Sequence, residues 1–101
     1  MVKIDVSKLE GTEFQKLVWA ALQEIPKGTT VTYKELAQKI GKPNAFRAVA
    51  NAVGKNPCVP DIPCHRVVRS DGKLGGYSGE GGVRAKRALL VFEKVDLSKL
   101  E

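Results

Sequence analysis

The sequence predicts a mostly helical α+β domain that contains a helix-turn-helix and a short β-hairpin. Three observations lead there. Two capping boxes each precede an apolar stripe at helical spacing. A glycine separates two short helical segments inside a basic block. A proline-rich connector ends in a β-like run before an Asp-Gly turn. The chain has 101 residues, which suits one domain spanning 1–101.

The elements follow in order. Residues 2–6 alternate apolar and polar and predict a short strand. Thr12 and Gln15 form a T-x-x-Q capping box, so a hydroxyl and an amide can each satisfy an orphan N–H. Phe14, Leu17, Val18, Ala21, Leu22 and Ile25 then give one apolar helix face, stopped by Pro26 and Gly28. Trp19 on this helix is expected in the core or at its edge. Thr32 and Glu35 form a second box and start a helix over about 33–40. Gly41 suits the left-handed position after it, and Pro43 suits the first turn of a helix over about 43–53, ended by Gly54. Three prolines between 57 and 63 make a stiff connector. Val67-Val68, the Asp71-Gly72 turn and Lys73-Leu74 predict the hairpin. A glycine-dense loop around Tyr77 leads into a last helix over about 83–95, and residues 96–101 are expected to fray. The pattern is winged-helix-like.

Composition excludes several classes. Hydrophobic residues make up 43% and charged residues 28%, ordinary for a globular fold. No apolar run approaches the length that crosses a membrane, and the charged N-terminus does not read as a signal peptide. Two cysteines are too few for a disulfide framework and suit a reducing cytosol. The net charge of +6 is unevenly placed: residues 26–87 hold twelve Lys and Arg against four acids, and each flank is net −1. One contiguous positive block suggests a polyanion, because Lys and Arg at phosphates release condensed counterions. The second helix of the pair is rich in alanine at 45, 48, 50 and 52. It can approach a groove closely but offers only Asn44, Arg47 and Asn51 to read bases, so weak sequence specificity is expected.

Chemistry concentrates at Cys64, which stands between Pro63 and His65-Arg66 and near Asn56. Positive neighbours would lower a thiol pKa and favour thiolate. Cys58 sits among Val and Pro and is assigned no role. Zinc is not expected, because two Cys and one His fall a ligand short and adjacent ligands chelate poorly. Neighbouring side chains of an extended segment point apart, so His65 would act on Cys64 through a water or a local turn. A third group would orient the imidazole, and Glu93 and Asp96 are both candidates.

Pro63-Cys64-His65-Arg66-Val67 resembles the active-site motif of the O6-alkylguanine-DNA alkyltransferases, the methylated-DNA–protein-cysteine methyltransferases. The resemblance begins at Gly11-Thr12-x-Phe14-Gln15 and runs through Val18-Trp19-x-Ala21-Leu22, Ile25-Pro26-x-Gly28 and Thr32-Tyr33. It continues through Ala45-x-Arg47-Ala48-Val49, Asn56-Pro57, Gly75-x-Tyr77-Ser78-Gly79 and Leu89-Leu90. The segment between Tyr77 and Glu93 is slightly longer than the family pattern.

This resemblance implies that Cys64 accepts an alkyl group from O6 of a flipped guanine. It implies that His65 deprotonates Cys64 through water, that Glu93 orients His65, and that Asn56 braces the active-site turn. Tyr33 would contact the flipped nucleotide and protonate guanine N3. Val67, Gly75, Tyr77 and Ser78 would bound the guanine pocket. Thr32, Lys34, Ala45, Arg66 and Ser70 would contact DNA, and Arg47 would enter the stack from the minor groove.

The implied protein repairs double-stranded DNA once per molecule, as a monomer, without metal or cofactor, in the cytoplasm or at the nucleoid (the nucleus in a eukaryote). The resemblance covers only the family's active-site domain, so the usual N-terminal domain is expected to be absent. That length also fits alkyltransferase-like proteins, which bind O6-alkylguanine without repairing it and commonly lack the cysteine. A plain DNA-binding regulator is the third reading; the sparse base-reading helix and the Pro-Cys-His-Arg run stand against it.

Overall fold

The structure, a computed structural model, describes residues 4–58, 61–77 and 81–99. Both capping boxes form. In the first, the Gln15 N–H donates to the Thr12 hydroxyl at 3.0 Å and the Thr12 N–H donates to the Gln15 side chain at 2.9 Å, opening helix α1 (Glu13–Leu22). In the second, Thr32 and Glu35 make the same reciprocal pair at 3.0 and 2.9 Å and open helix α2 (Tyr33–Lys39). These bonds satisfy N–H groups that a helix start leaves without partners.

Helix α3 (Phe46–Gly54) starts later than the sequence predicts. Pro43 does not open it. The Ala45 N–H donates to the Lys42 carbonyl at 2.9 Å, so Pro43 and Asn44 occupy the middle of a tight turn, a position that proline's fixed φ favours. Gly41 takes the left-handed conformation expected of it, with φ +78°, and the chain reverses between α2 and α3 to complete the helix-turn-helix.

The hairpin expectation needs correction. Strand β1 (Val31–Thr32) pairs with β2 (Val67–Val68) in parallel, Val31 opposite Val67 and Thr32 opposite Val68. The Asp71-Gly72 turn does form, closed by the Arg69 N–H on the Lys73 carbonyl, but Lys73-Leu74 adds no strand. Leu74 instead turns inward to a small core with Val68 and Leu90. The predicted N-terminal strand also fails: residues 1–3 lie outside the described residues, and Val6–Lys8 form a 3-10 turn. Ile4 finds its backbone partners on one side chain, the Gln23 amide, at 2.7 and 2.9 Å. Helix α4 (Gly82–Phe92) ends earlier than predicted, where Lys94 takes a left-handed φ of +64°. Residues 97–99, expected to fray, form a 3-10 turn whose Leu97 packs on the Val68–Leu90 core.

The main core lies where α1, α2 and α3 meet, around Val18, Trp19, Leu22, Leu36, Val49 and Val53. Trp19 is 1% exposed, and its indole N–H donates to the Ala52 carbonyl of α3 at 2.8 Å. Its polar edge is thereby satisfied inside the core, and α1 is tied to the back of the helix-turn-helix. Ile62, Cys64 and Val67 complete this core, so the segment carrying the reactive residues is anchored to its rear.

Candidate active site and nucleic-acid interface

A cleft of about 560 Å³ opens beside Cys64. Tyr33 and Lys34 of α2 form one wall, and Arg47 and Asn51 of α3 another. Ser70, Gly75 and Tyr77 come from the segment after β2. Eight of the residues singled out by sequence therefore converge: Tyr33, Lys34, Arg47, Asn51, Cys64, Ser70, Gly75 and Tyr77. Ser78 lies outside the described residues.

Cys64 opens a 3-10 turn (Cys64–Arg66) that continues into β2. This turn lets adjacent side chains serve one site. Asn56 braces it: its side-chain N–H donates to the Ile62 carbonyl at 2.7 Å, and its side-chain oxygen accepts from the Cys58 N–H at 3.0 Å. Cys64 is 4% exposed. The expected lowering of its pKa is not what its surroundings produce: burial pushes the thiol up, and the Asn56 side chain and the Lys86 charge only partly oppose this. A count of basic neighbours in sequence misses the desolvation.

Behind Cys64 lies a buried relay. His65 Nε2 is 2.9 Å from Glu93 Oε2. Arg66 clamps the same carboxylate with two bonds, Nε to Oε1 at 2.9 Å and Nη2 to Oε2 at 2.7 Å, and its Nη1 donates to the Ile25 carbonyl at 2.8 Å. Burial alone would raise the Glu93 pKa, but the hydrogen bonds and charges of Arg66 and His65 together hold it at about 2. Burial lowers His65 despite the attraction of Glu93, favouring a neutral imidazole. With Nε2–H donated to a carboxylate, Nδ1 carries the lone pair. Nδ1 is buried and has no hydrogen-bond partner among the described residues. Of the two acids open from sequence, it is Glu93 that meets the histidine.

Several expected DNA or substrate contacts fall elsewhere. Arg66 is 12% exposed in its side chain and spends its donors on Glu93 and Ile25, so it is a clamp rather than a phosphate contact. The Val67 side chain is fully buried in the core and does not line the cleft. Thr32 and Ala45 are the N-caps of α2 and α3, positions that do not exclude the DNA contacts expected of them.

Sequence reasoning missed Lys86. Its side chain is fully buried on α4, and its ammonium donates to the carbonyls of Val67 at 2.6 Å, Leu74, and Gly76 at 3.2 Å. It thus ties β2 to the loop on the far side of the cleft. Burial lowers its pKa to about 8, although the Cys64 thiol pulls it up. The available signal was a lysine four residues before Leu90, on the buried stripe of the helix. Gly75 lies opposite, at φ +79°; a Cβ there would come within 3.4 Å of the Tyr33 hydroxyl. Burial raises the Tyr33 and Tyr77 hydroxyls, keeping both protonated.

A helix-turn-helix with a cleft lined by a cysteine and backed by a His–Glu–Arg relay has the build of a DNA-binding domain with a reactive site. The family model of the 6-O-methylguanine DNA methyltransferase DNA-binding domain matches residues 13–95, and the chain belongs to that family. It is 57% identical over 88 residues to the methylated-DNA–protein-cysteine methyltransferase of Methanosarcina barkeri, covering 87% of this chain and 54% of that protein. Among solved structures, Mycobacterium tuberculosis OGT in complex with DNA superposes with TM-score 0.80 at 53% identity, covering 84% of this chain and 51% of that one. Schizosaccharomyces pombe Atl1, bound to damaged DNA containing O6-carboxymethylguanine, superposes with TM-score 0.74 at 31% identity, covering 87% and 82%. The chain thus spans about half the length of the curated relatives it matches.

Proposed function

We propose that this chain repairs DNA by moving an alkyl group from O6 of guanine onto Cys64, once per molecule. The observation that carries the reading is the placement of Cys64 at the floor of the cleft with the His65–Glu93–Arg66 relay behind it. The O6 substituent of a stacked guanine lies out of reach, so the nucleotide leaves the helix and enters the cleft. Arg47, in the first turn of α3 and lining the cleft, is the side chain assigned to take its place in the stack.

His65 Nδ1 accepts the Cys64 proton through a water. The thiolate attacks the alkyl carbon; the S–C bond forms as the C–O6 bond breaks, and the electron pair leaves with the purine. Tyr33, kept protonated by burial, donates a proton to N3 of the departing guanine. A thiol pKa raised by burial fits this order, because the proton is removed only when a base and a substrate are both present. The product thioether leaves Cys64 alkylated, so no second turnover follows.

A second reading, lesion binding without repair, is favoured by the match to most of the Atl1 chain. One experiment separates the two. The protein is mixed with a duplex carrying O6-methylguanine and its intact mass is measured. Repair adds the mass of one CH2 group, and Cys64→Ala abolishes the gain. Tight lesion binding with no change in mass overturns repair and supports the second reading.

A further inference from the structure

Helix α3 lines the cleft with Phe46, Arg47, Ala50, Asn51, Val53 and Gly54. On the stripe at 46, 50 and 54, two positions are Ala50 and Gly54, which add little side chain. The third is Phe46, a full aromatic ring that remains 36% exposed and does not join the hydrophobic core. It occupies the first turn of α3, immediately before Arg47, and both line the cleft. Its partner is a cation: the Lys34 ammonium of α2 lies 5.6 Å from the ring centroid. The other exposed large apolar side chains among the described residues, Leu17, Val83, Val91 and Phe92, do not line this cleft.

An exposed aromatic ring that lines a cleft, with one cation against it and a second on the next residue, has the chemistry of a nucleotide contact. The ring offers apolar surface to a base or sugar, and the cations offer charge to the phosphates on either side. A guanidinium alone is a poor replacement for a purine, because it cannot cover the apolar faces that an extruded base leaves behind. We propose that Phe46 is a second wedge: its ring enters the minor groove beside Arg47 and lies on the base pair next to the extruded nucleotide. The inference rests on the proposed flipping of a guanine into the cleft. It assigns the stabilisation of the opened stack to two neighbouring side chains, one cationic and one apolar.

The test uses duplexes with O6-methylguanine and 2-aminopurine as its neighbour, whose fluorescence rises when it unstacks. A Cys64→Ala background prevents transfer. The parent variant is expected to bind the lesion duplex more tightly than an undamaged one and to brighten 2-aminopurine. Adding Phe46→Ala should weaken lesion binding by on the order of tenfold and dim the signal at saturation. Adding Phe46→Leu should retain most of both, and the thermal midpoint of the free protein should stay within a degree or so in each case. Equal affinity and equal fluorescence with and without the ring overturn the wedge. So does a lower thermal midpoint for Phe46→Ala with unchanged fluorescence at saturation, which would make the ring a clasp between α2 and α3. If the parent variant shows no preference for the lesion, the functional reading fails first and the wedge falls with it.

Discussion

Replacing Glu93 by Gln removes the charge on which His65 and Arg66 converge. The carboxylate receives three N–H donors, Arg66 Nε, Arg66 Nη2 and His65 Nε2. Glutamine offers one acceptor oxygen and turns an NH2 group against the remaining donors, leaving a buried guanidinium without its counter-charge. The Glu93 pKa falls from its ordinary 4.5 to about 2 on folding. At about 1.4 kcal/mol for each tenfold change in acid constant, that is about 3 kcal/mol of stability. The side chain is 7% exposed, so solvent screening removes little of it. Because the folded value lies below the unfolded one, this stability is complete above about pH 4.5 and is lost as pH falls toward 2. Urea unfolding followed by the fluorescence of Trp19, the single tryptophan, reads both effects. Glu93→Gln should lose about 3 kcal/mol at pH 7 and have a much flatter stability profile than wild type between pH 4.5 and 2. A loss below about 0.5 kcal/mol, or parallel profiles in that window, would refute the relay as a buried, charged structure.

Two further outcomes follow from the cleft. Lys86→Met removes a buried ammonium and strands the carbonyls of Val67, Leu74 and Gly76, so it should be destabilising near neutral pH. The folded pKa of Lys86, about 8, lies below its ordinary 10.5, so the cost of keeping the charge inside is relieved as pH rises through that range. Wild type should therefore gain stability relative to the variant between pH 8 and 10.5, and a constant difference would contradict this. Gly75→Ala places a Cβ at φ +79° against Arg69 and Tyr33, and should cost about 1–2 kcal/mol and slow alkyl transfer. An unchanged thermal midpoint would show that the backbone there is relaxed.

What was legible in the sequence depended on how local the chemistry was. Both capping boxes could be read directly because their partners lie three residues apart. Val18 and Leu22 of the α1 stripe followed from helical periodicity, and Trp19 from its residue type, whereas Leu17 of the same predicted stripe is 42% exposed. The partner of β2 did not follow, because Val31 and Val67 lie far apart in the chain and only tertiary packing brings them into parallel register. Pro43 fits either a helix start or a turn, and the carbonyl of Lys42 decided between them. The reactive residues themselves were recognisable as a motif, but their electrostatics was not. Sequence can count the cations near Cys64; it cannot count how much water has been removed from them.

The same distinction changes the meaning of the basic block. Residues 26–87 carry a net +8, which suggests a broad DNA footprint. Two of those cations are engaged inside the protein. Arg66 is spent on Glu93, and Lys86 on three backbone carbonyls. A third, Arg69, stands at the cleft paired with Asp71 at 2.6 Å, so a phosphate would have to compete with a carboxylate for it. Lys34 and Arg47 are the remaining cations that line the cleft, Lys34 against the exposed ring of Phe46 and Arg47 next to it in sequence. The positive charge of this domain therefore does two separable jobs. Part of it is internal and holds the reactive turn and the surrounding loop in place. On the proposed function, a smaller, outward part meets the polyanion, close to the point where a base leaves the stack.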